Sequence, residues 1–235
     1  MSKLTAALAS REASGETISV AIVGAGRMGR SIAIGSQQVD GVDVTTIADI
    51  RLENAVEAFE TMGYDSDAVE TVDSVAAGDD ALTDGTPVVT RDALAPPQME
   101  HVDVVIAATG VPQIGAKVAT RAIFNGTHVV MLTDEADAVV GPYLNEMADQ
   151  AGVVYSGAAG DEPGSIMELY DFADSLGFDI VAAGKGKNNP LDREATPDSL
   201  EDTAREKNLN PEIYTAFVDG TNSMLEMTMV ANATG

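Results

Sequence analysis

From residue 17 to residue 157, short apolar runs alternate with longer stretches in which apolar positions recur every three or four residues. The first run, Ser19 to Val23 in TISVAIVGAGRMGRSIAIGS, is a buried parallel strand by this pattern; the glycines make its turn, and a helix starts at Met28. VDVTTIADI follows as a second strand and RLENAVEAFETMG as a second helix ending near Gly63, which completes a βαβ unit. VDVVIAATG is another central strand, and PQIGAKVATRAIFNG is a helix closing at Asn125-Gly126 before the strand HVVML. A helix through GPYLNEMADQAG leads into VVYSG.

Flanking this pattern, Leu4, Ala7, Leu8 and Arg11 suggest a short leading helix. Residues 64–100 are less regular, with PVVTRD as a short strand, APPQ as a break and a helix somewhere between Asp65 and Asp80. The prediction for 1–157 is therefore an α/β fold of Rossmann type, a doubly wound parallel sheet. GDEPG marks a boundary. Residues 158–235 are expected to form a second α/β region for substrate or dimerisation. There SIMELYDFADSLG, LEDTAREKN and NSMLEMTMVANA read as helices, FDIVAAG as extended, and KGKNNPLDREATPDS as a polar loop. The chain stops at ATG directly after an apolar helix, so this region is expected to be truncated.

Composition narrows the function. With 45% apolar residues among 235, the chain can bury a core. It has no cysteine, which removes disulfides, thiolate metal sites and cysteine nucleophiles. The 38 acidic against 13 Lys/Arg residues give a formal charge of -25, which argues against nucleic acid or an anionic membrane as a general partner. The same imbalance, with lysine scarce, suggests a halophilic protein whose self-repulsion is screened at high salt. MSKLTAALASREASGE lacks the apolar run of a secretion signal and no later run suits a membrane span, so the expected setting is cytoplasmic.

Gly24-Ala25-Gly26-Arg27-Met28-Gly29 is a G-x-G-x-x-G turn between strand and helix. Gly24 permits the tight turn, Gly26 lets a pyrophosphate reach backbone N–H groups, and Gly29 lets helix and strand pack closely. Asp49 lies 20 residues after Gly29 (49 − 29) and can accept both hydroxyls of an adenine ribose, favouring NAD. Arg51 could instead face a ribose phosphate, which keeps NADP open; a helix cap is the competing role for Asp49. Ala108, Thr109 and Gly110 follow the fourth strand and are placed along the nicotinamide half of the cofactor, with Pro112 stiffening the exit.

Two of the five lysines sit in GKGKNNPLD. If the backbone is extended there, Lys185 and Lys187 face one cleft, supply positive field to a substrate oxygen and shuttle a proton should their pKa fall. A surface loop complementing an acidic field is the competing reading. Asn188 and Asn189 add neutral donors and acceptors, and Asp192 could orient a lysine or bind a metal. Asp161, Glu162, Asp219, Asn222 and Asn232 are further candidates, with Glu226 one turn beyond Asn222 on the same helix face. These oxygens could hold a polar substrate or a divalent metal, though turns and caps use the same residues. Met224, Met227 and Met229 are expected in a core. His101 and His128 show no relay spacing, and Ser156 and Ser165 no adjacent base.

VAIVGAGRMGR, VDVVIAATGVP, VVYSGAAGDEPG, GKGKNNPLD and FVDGTNSMLEMTMVANATG together resemble the homoserine-dehydrogenase-like oxidoreductase family, in the branch whose longer members carry a C-terminal SAF domain. The resemblance implies a homo-oligomeric NAD(P)-dependent enzyme acting on a small polar or phosphorylated hydroxy or carbonyl substrate. It places the cofactor on Gly24, Gly26, Gly29 and Asp49, and lysine and carboxylate chemistry on Lys185, Lys187, Asp192 and Glu226. GKGKNNPLD departs from the usual homoserine dehydrogenase active-site sequence. Some members of the branch resemble an alternative type of 1-deoxy-D-xylulose 5-phosphate reductoisomerase, which would add a divalent ion. A protein that binds NAD(P) without turnover, in a structural or regulatory role, is the reading from a different class.

Overall fold

A computed structural model describes residues 2–187, 190–207 and 209–235. The chain divides into two compact units, Met1–Ser156 and Gly157–Gly235. After helix α1 (Lys3–Ser14), the first unit alternates β1 (Ile18–Val23), α2 (Arg27–Ser36), β2 (Val42–Ala48), α3 (Leu52–Thr61), β3 (Glu70–Thr71), α4 (Val75–Thr83) and β4 (Val88–Thr90). It continues through β5 (Val104–Ala107), α5 (Pro112–Asn125), β6 (His128–Met131) and α6 (Asp134–Ala151) to β7 (Tyr155–Gly157).

The strands form one sheet in the order β3-β4-β2-β1-β5-β6-β7. All registered pairs are parallel, from Ile18↔Val42 between β1 and β2 to Val20↔Val104 and Val104↔His128 across β1, β5 and β6. The order reverses at β1, which lies between β2 and β5. A crevice is thereby opened beyond the carboxyl ends of β1 and β5, where ligands of doubly wound sheets bind.

Strand alternation explains the two layers. Val20 and Ile22 face a core made with Ala33 of α2 and Ala55, Ala58 and Phe59 of α3. Ala21 and Val23 point the other way, into a core built with Ala81 of α4, Val118 and Ala122 of α5, and Leu144 and Ala148 of α6. With both faces covered, the central strands can be apolar throughout.

The expected elements change in four places. Helix α6 begins at Asp134, a full turn and more before GPYLNEMADQAG, where DEAD puts carboxylates in its first turn; Thr133 is its N-cap residue but makes no side-chain cap. Pro142 lies within it on an exposed position. Helix α2 starts at Arg27, not Met28. In the second unit, helices α7 (Glu162–Ser175) and α8 (Pro197–Glu206) precede an unforeseen α9 (Pro211–Asp219) and then α10 (Thr221–Thr234). Asn210 caps α9 by accepting from Glu212 N at 2.8 Å, with proline at its first position.

FDIVAAG, expected as a strand, is irregular, so the described residues beyond Gly157 are helical and not a mixture of helix and strand. Phe178 and Val181 are exposed, and a strand-like sequence without a neighbouring strand has no ladder to join. Among the described residues, no helix is long and apolar enough to cross a membrane.

One half-buried polar link ties α6 to β7. Tyr155 Oη donates to Asp137 Oδ1 at 2.5 Å, and burial pushes both the carboxyl and the phenol above their usual pKa ranges. Because Asp137 is raised in the folded state, its contribution favours folding at low pH and is lost as pH climbs from the unfolded value through the folded one. Tyr155→Phe should lower unfolding free energy by about 1–3 kcal/mol and steepen that loss, since the phenol hydrogen bond restrains the carboxyl's rise. Urea unfolding at several pH values measures it; an unchanged curve contradicts the assignment.

Candidate functional site

At the switch point the glycines are required by close contact. A Cβ on Gly29 would lie 1.9 Å from Gly24 O, so α2 packs its first turn directly on the end of β1. Gly24 has φ +105°, and a Cβ there would meet Ala108 O at 2.6 Å and Thr109 N at 3.0 Å. Gly26, in contrast, is exposed and has nothing within 4 Å of a built Cβ. It is the N-cap residue of α2 and makes no side-chain cap, so this helix start presents unfilled space beside its first amides. Arg27 and Met28 are exposed at the same turn.

Asp49 follows β2 and braces the loop. Its Oδ2 accepts from Ala25 N at 2.8 Å and its Oδ1 from Arg51 N at 2.8 Å. Each carboxylate oxygen retains further acceptor capacity, so the brace leaves room for ribose hydroxyls. Arg51 is the N-cap residue of α3 and exposed. With the Asn54 amide oriented to present its oxygen, that oxygen accepts from Arg51 Nε at 3.1 Å and Nη2 at 3.0 Å. Arg51 and Asp49 thus stand together at the end of β2, beside the glycine loop.

Ala108, Thr109 and Gly110 form the loop after β5. Thr133, which the sequence reading passed over, anchors it: Thr133 Oγ1 donates to Thr109 O at 2.7 Å. Its signal was present as a threonine directly before an acidic helical turn. The glycine loop, Asp49 and the Ala108–Gly110 loop therefore gather at the carboxyl edge of the sheet, and the residues present fit a dinucleotide.

The second unit holds a separate charged cluster. Lys185 Nζ lies 2.9 Å from Glu162 Oε1 and also pairs with Glu226 Oε2. Glu226 is 2% exposed, and its Oε1 accepts from Asn222 Nδ2 at 2.5 Å, one turn earlier on α10. Asp161 is the N-cap residue of α7, accepting from Glu162 N at 3.0 Å. One carboxylate oxygen each from Asp161, Glu162 and Glu226 falls within 4.8 Å of the others, close enough for one cation.

Burial pushes the Glu226 carboxyl up, and the Lys185 ammonium only partly offsets it. Contact with Asp161, then with Lys185, holds Glu162 below the usual range. Burial acts to lower the Lys185 pKa, yet the bonds to Glu226 and Glu162 outweigh it and hold the ammonium above its usual value. The expectation of a lysine whose pKa falls is thereby corrected: two carboxylates keep this one charged.

The described residues of GKGKNNPLD form no strand, which removes the basis for placing both lysines on one side. Lys185 enters the carboxylate cluster, whereas Lys187 Nζ donates to the Phe217 carbonyl oxygen. Asn188 and Asn189 lie outside the described residues. Asp192 is exposed and shapes a turn, its Oδ1 accepting from Glu194 N at 3.0 Å, and Asp219 does the same for Thr221 N at 2.8 Å. Asn232 is exposed further along α10. Met229 is buried, but Met224 is 64% exposed and is not part of a core as expected. His101 Nε2 meets Thr83 Oγ1 at 2.9 Å and His128 Nδ1 accepts from Val154 N at 2.9 Å, both structural uses.

Residues 160–235 match the family model described as Oxidoreductase DRL, catalytic domain. No curated protein matches the chain. Among solved structures, it is similar to an NAD binding oxidoreductase from Klebsiella pneumoniae, at 17% identity and TM-score 0.46, over 68% of this chain and 39% of that one. It is also similar to a dehydrogenase from Chromobacterium violaceum, at 16% identity and TM-score 0.46, over 67% and 40%. A biliverdin reductase in complex with biliverdin and NADP+ from a Synechocystis species aligns at 18% identity and TM-score 0.44, over 68% and 43%. The chain spans about two fifths of the length of these structures.

The charge cluster makes an energetic prediction. Lys185→Met should cost about 3–5 kcal/mol near neutral pH by leaving the buried Glu226 carboxylate without a countercharge, and less at acid pH where Glu226 protonates. Adding Glu226→Gln should recover most of the loss, because both charges are then gone. Denaturant unfolding of the single and double variants measures this; a Lys185→Met chain as stable as wild type shows that the pair is solvated.

Proposed function

We propose that the chain forms the NAD(P)-binding part and a portion of the catalytic part of a homoserine-dehydrogenase-like oxidoreductase acting on a small polar hydroxy or carbonyl compound. The observation that carries this reading is the β1–α2 turn, where Gly24 and Gly29 have no room for a side chain while Gly26 opens onto free space. Pyrophosphate would be held by the amides at the start of α2, Asp49 and Arg51 would meet the adenosine ribose, and the Ala108–Gly110 loop would lie along the nicotinamide half. Bound there, the cofactor supplies or accepts a hydride.

The chain's own residues would handle the oxygen and its proton. Lys185, kept charged by Glu162 and Glu226, is suited to donate a hydrogen bond to a carbonyl oxygen and then a proton to the developing alkoxide. The proton lost by Lys185 would be restored from solvent, drawn by the Glu226 carboxylate, whose orientation Asn222 fixes. In the oxidising direction the same transfers run backwards. Lys187 and Asp192 would support the loop that presents Lys185. The acidic composition supports a high-salt setting for this enzyme.

A second reading, a 1-deoxy-D-xylulose 5-phosphate reductoisomerase-like enzyme, is favoured by the grouping of Asp161, Glu162 and Glu226. A divalent ion on those oxygens would polarise a substrate carbonyl, with Lys185 turned from the carboxylates towards a phosphate.

Turnover of a hydroxy and carbonyl panel with NADH and NADPH, at several KCl concentrations, tests both readings. Lys185→Ala is expected to lower kcat by roughly 10²-fold or more while leaving cofactor affinity intact. Full activity in that variant contradicts the lysine's role. Loss of activity with EDTA, recovery with Mg²⁺ and a branched product would establish the second reading, whereas metal-independent reduction of a linear aldehyde would contradict it. Activity and stability undiminished in dilute buffer would contradict the high-salt setting.

A further inference from the structure

Acids are spread over the helices of the first unit with two exceptions. Helices α1, α3, α4 and α6 each carry at least one, whereas α2 (RMGRSIAIGS) and α5 (PQIGAKVATRAIFN) each carry two bases and no acid. In α2 the exception sits at the glycine turn, where an anion would lie close. In α5 it does not: Lys117 and Arg121 lie about 8 and 14 Å along the helix from Pro112. Four residues apart on one face, these two like charges repel each other. Among the described residues neither forms an ion pair, so no acid of the chain relieves that repulsion.

Both bases line an open cleft of about 790 Å³ whose apolar walls are Leu94, Ala116 and Phe124, and no acid lines it. Phe124 is 75% exposed and continues the stripe of Lys117 and Arg121 along the helix. Thr120 Oγ1 and Asn125 Nδ2 turn back to the helix's own carbonyls, Ala116 O and Arg121 O, each at 2.7 Å. Lys117 and Arg121 are thereby left as the charged donors of the cleft. Arg121 is also oriented by a neighbour. Gln98 Nε2 donates to Leu94 O at 2.6 Å, and Gln98 Oε1 accepts from Arg121 Nη1 at 3.3 Å. The guanidinium keeps its Nε and Nη2 hydrogens for a further acceptor.

We propose that this cleft binds a small amphipathic organic anion, with its carboxylate or phosphate group on Lys117 and Arg121 and its apolar body over Phe124, Leu94 and Ala116. The sign of the ligand follows from charge: an anionic group removes the repulsion between the two bases, at a place from which the chain's own acids are absent. A planar guanidinium suits a head group that offers two oxygens. The apolar body follows from the walls. An inorganic anion would answer the charges and leave Phe124 in water, whereas a neutral apolar molecule would cover Phe124 and leave the repulsion. The cleft lies within the range of about 300–1,000 Å³ usual for small-molecule sites. Salt weakens the charge contacts and strengthens the apolar ones, so both halves of the ligand are needed in a high-salt setting. The site stands on the middle of α5 and does not rest on the dinucleotide reading.

Amide NMR of the chain, titrated with 2-naphthoate, 1-naphthyl phosphate, neutral 2-naphthamide and inorganic phosphate at a KCl concentration that keeps it folded, tests this. The two naphthyl anions should shift the amides of residues 116–125 and bind roughly tenfold or more tighter than either the amide or phosphate. Lys117→Gln/Arg121→Gln should reduce the anions to the affinity of the neutral amide. Phe124→Ser should weaken them as well, and so should Gln98→Glu, which sets a competing carboxylate beside Arg121. Lys117, Arg121 and Phe124 are exposed, so thermal unfolding of their variants should match wild type. Equal binding of anion and amide, shifts confined to other segments, or full affinity in Lys117→Gln/Arg121→Gln overturns the proposal. Inorganic phosphate binding as tightly as the naphthyl anions, or an acidic aromatic peptide binding where they do not, overturns it too.

Discussion

The close approach of α2 to the end of β1 is the constraint on which the first unit's site depends. Only a hydrogen at Gly29 lets the helix backbone descend to Gly24 O, and only a residue free of Cβ at Gly24 lets the turn pass under Ala108. That packing sets the direction of the helix start and leaves Gly26 at its open lip. Asp49 then fixes the loop from the side through Ala25 N, and Thr133 fixes the facing loop through Thr109 O. Each brace comes from the carboxyl end of a different strand, so the sheet order itself assembles the site.

The second unit rests on a different balance. A carboxylate as buried as Glu226 is costly unless paired, and Lys185 provides the pairing while keeping its own proton. An ammonium held this way is ready to donate, which suits reduction of a carbonyl better than abstraction of a proton by a neutral amine. The same three carboxylates would suit a divalent ion only if the lysine turned away. Lysine and metal are therefore competing occupants of one acidic pocket, and they divide the two proposed chemistries.

Much of the first unit was legible in the sequence because its signals are local. VAIVGAGRMGR carries strand, turn and helix in consecutive residues, and alternation of Val20 and Ile22 with Ala21 and Val23 gives both core faces. The early start of α6 was missed because its acidic first turn, led by Thr133, looked like polar linker. The second unit was less legible since its apolar segments depend on distant partners: FDIVAAG has strand composition but no ladder, and Met224 is exposed despite helical spacing. For the candidate site, Lys185 and Glu226 were identifiable as types. Their pairing, the brace role of Asp49 and the separate destination of Lys187 are three-dimensional facts that spacing along the chain does not encode.

The central claim is that the open lip at Gly26 exists to admit a dinucleotide, and Gly26→Val tests it most directly. Its side chain meets no protein atom, so unfolding free energy should stay within about 1 kcal/mol of wild type, whereas a branched side chain at the lip should block the approach of pyrophosphate. Calorimetric titration with NADH and NADPH should show binding to the wild type and a loss of at least roughly tenfold, about 1.4 kcal/mol, in the variant. Equal affinity in the two proteins, or no binding to a folded wild type at any salt concentration, would contradict the account.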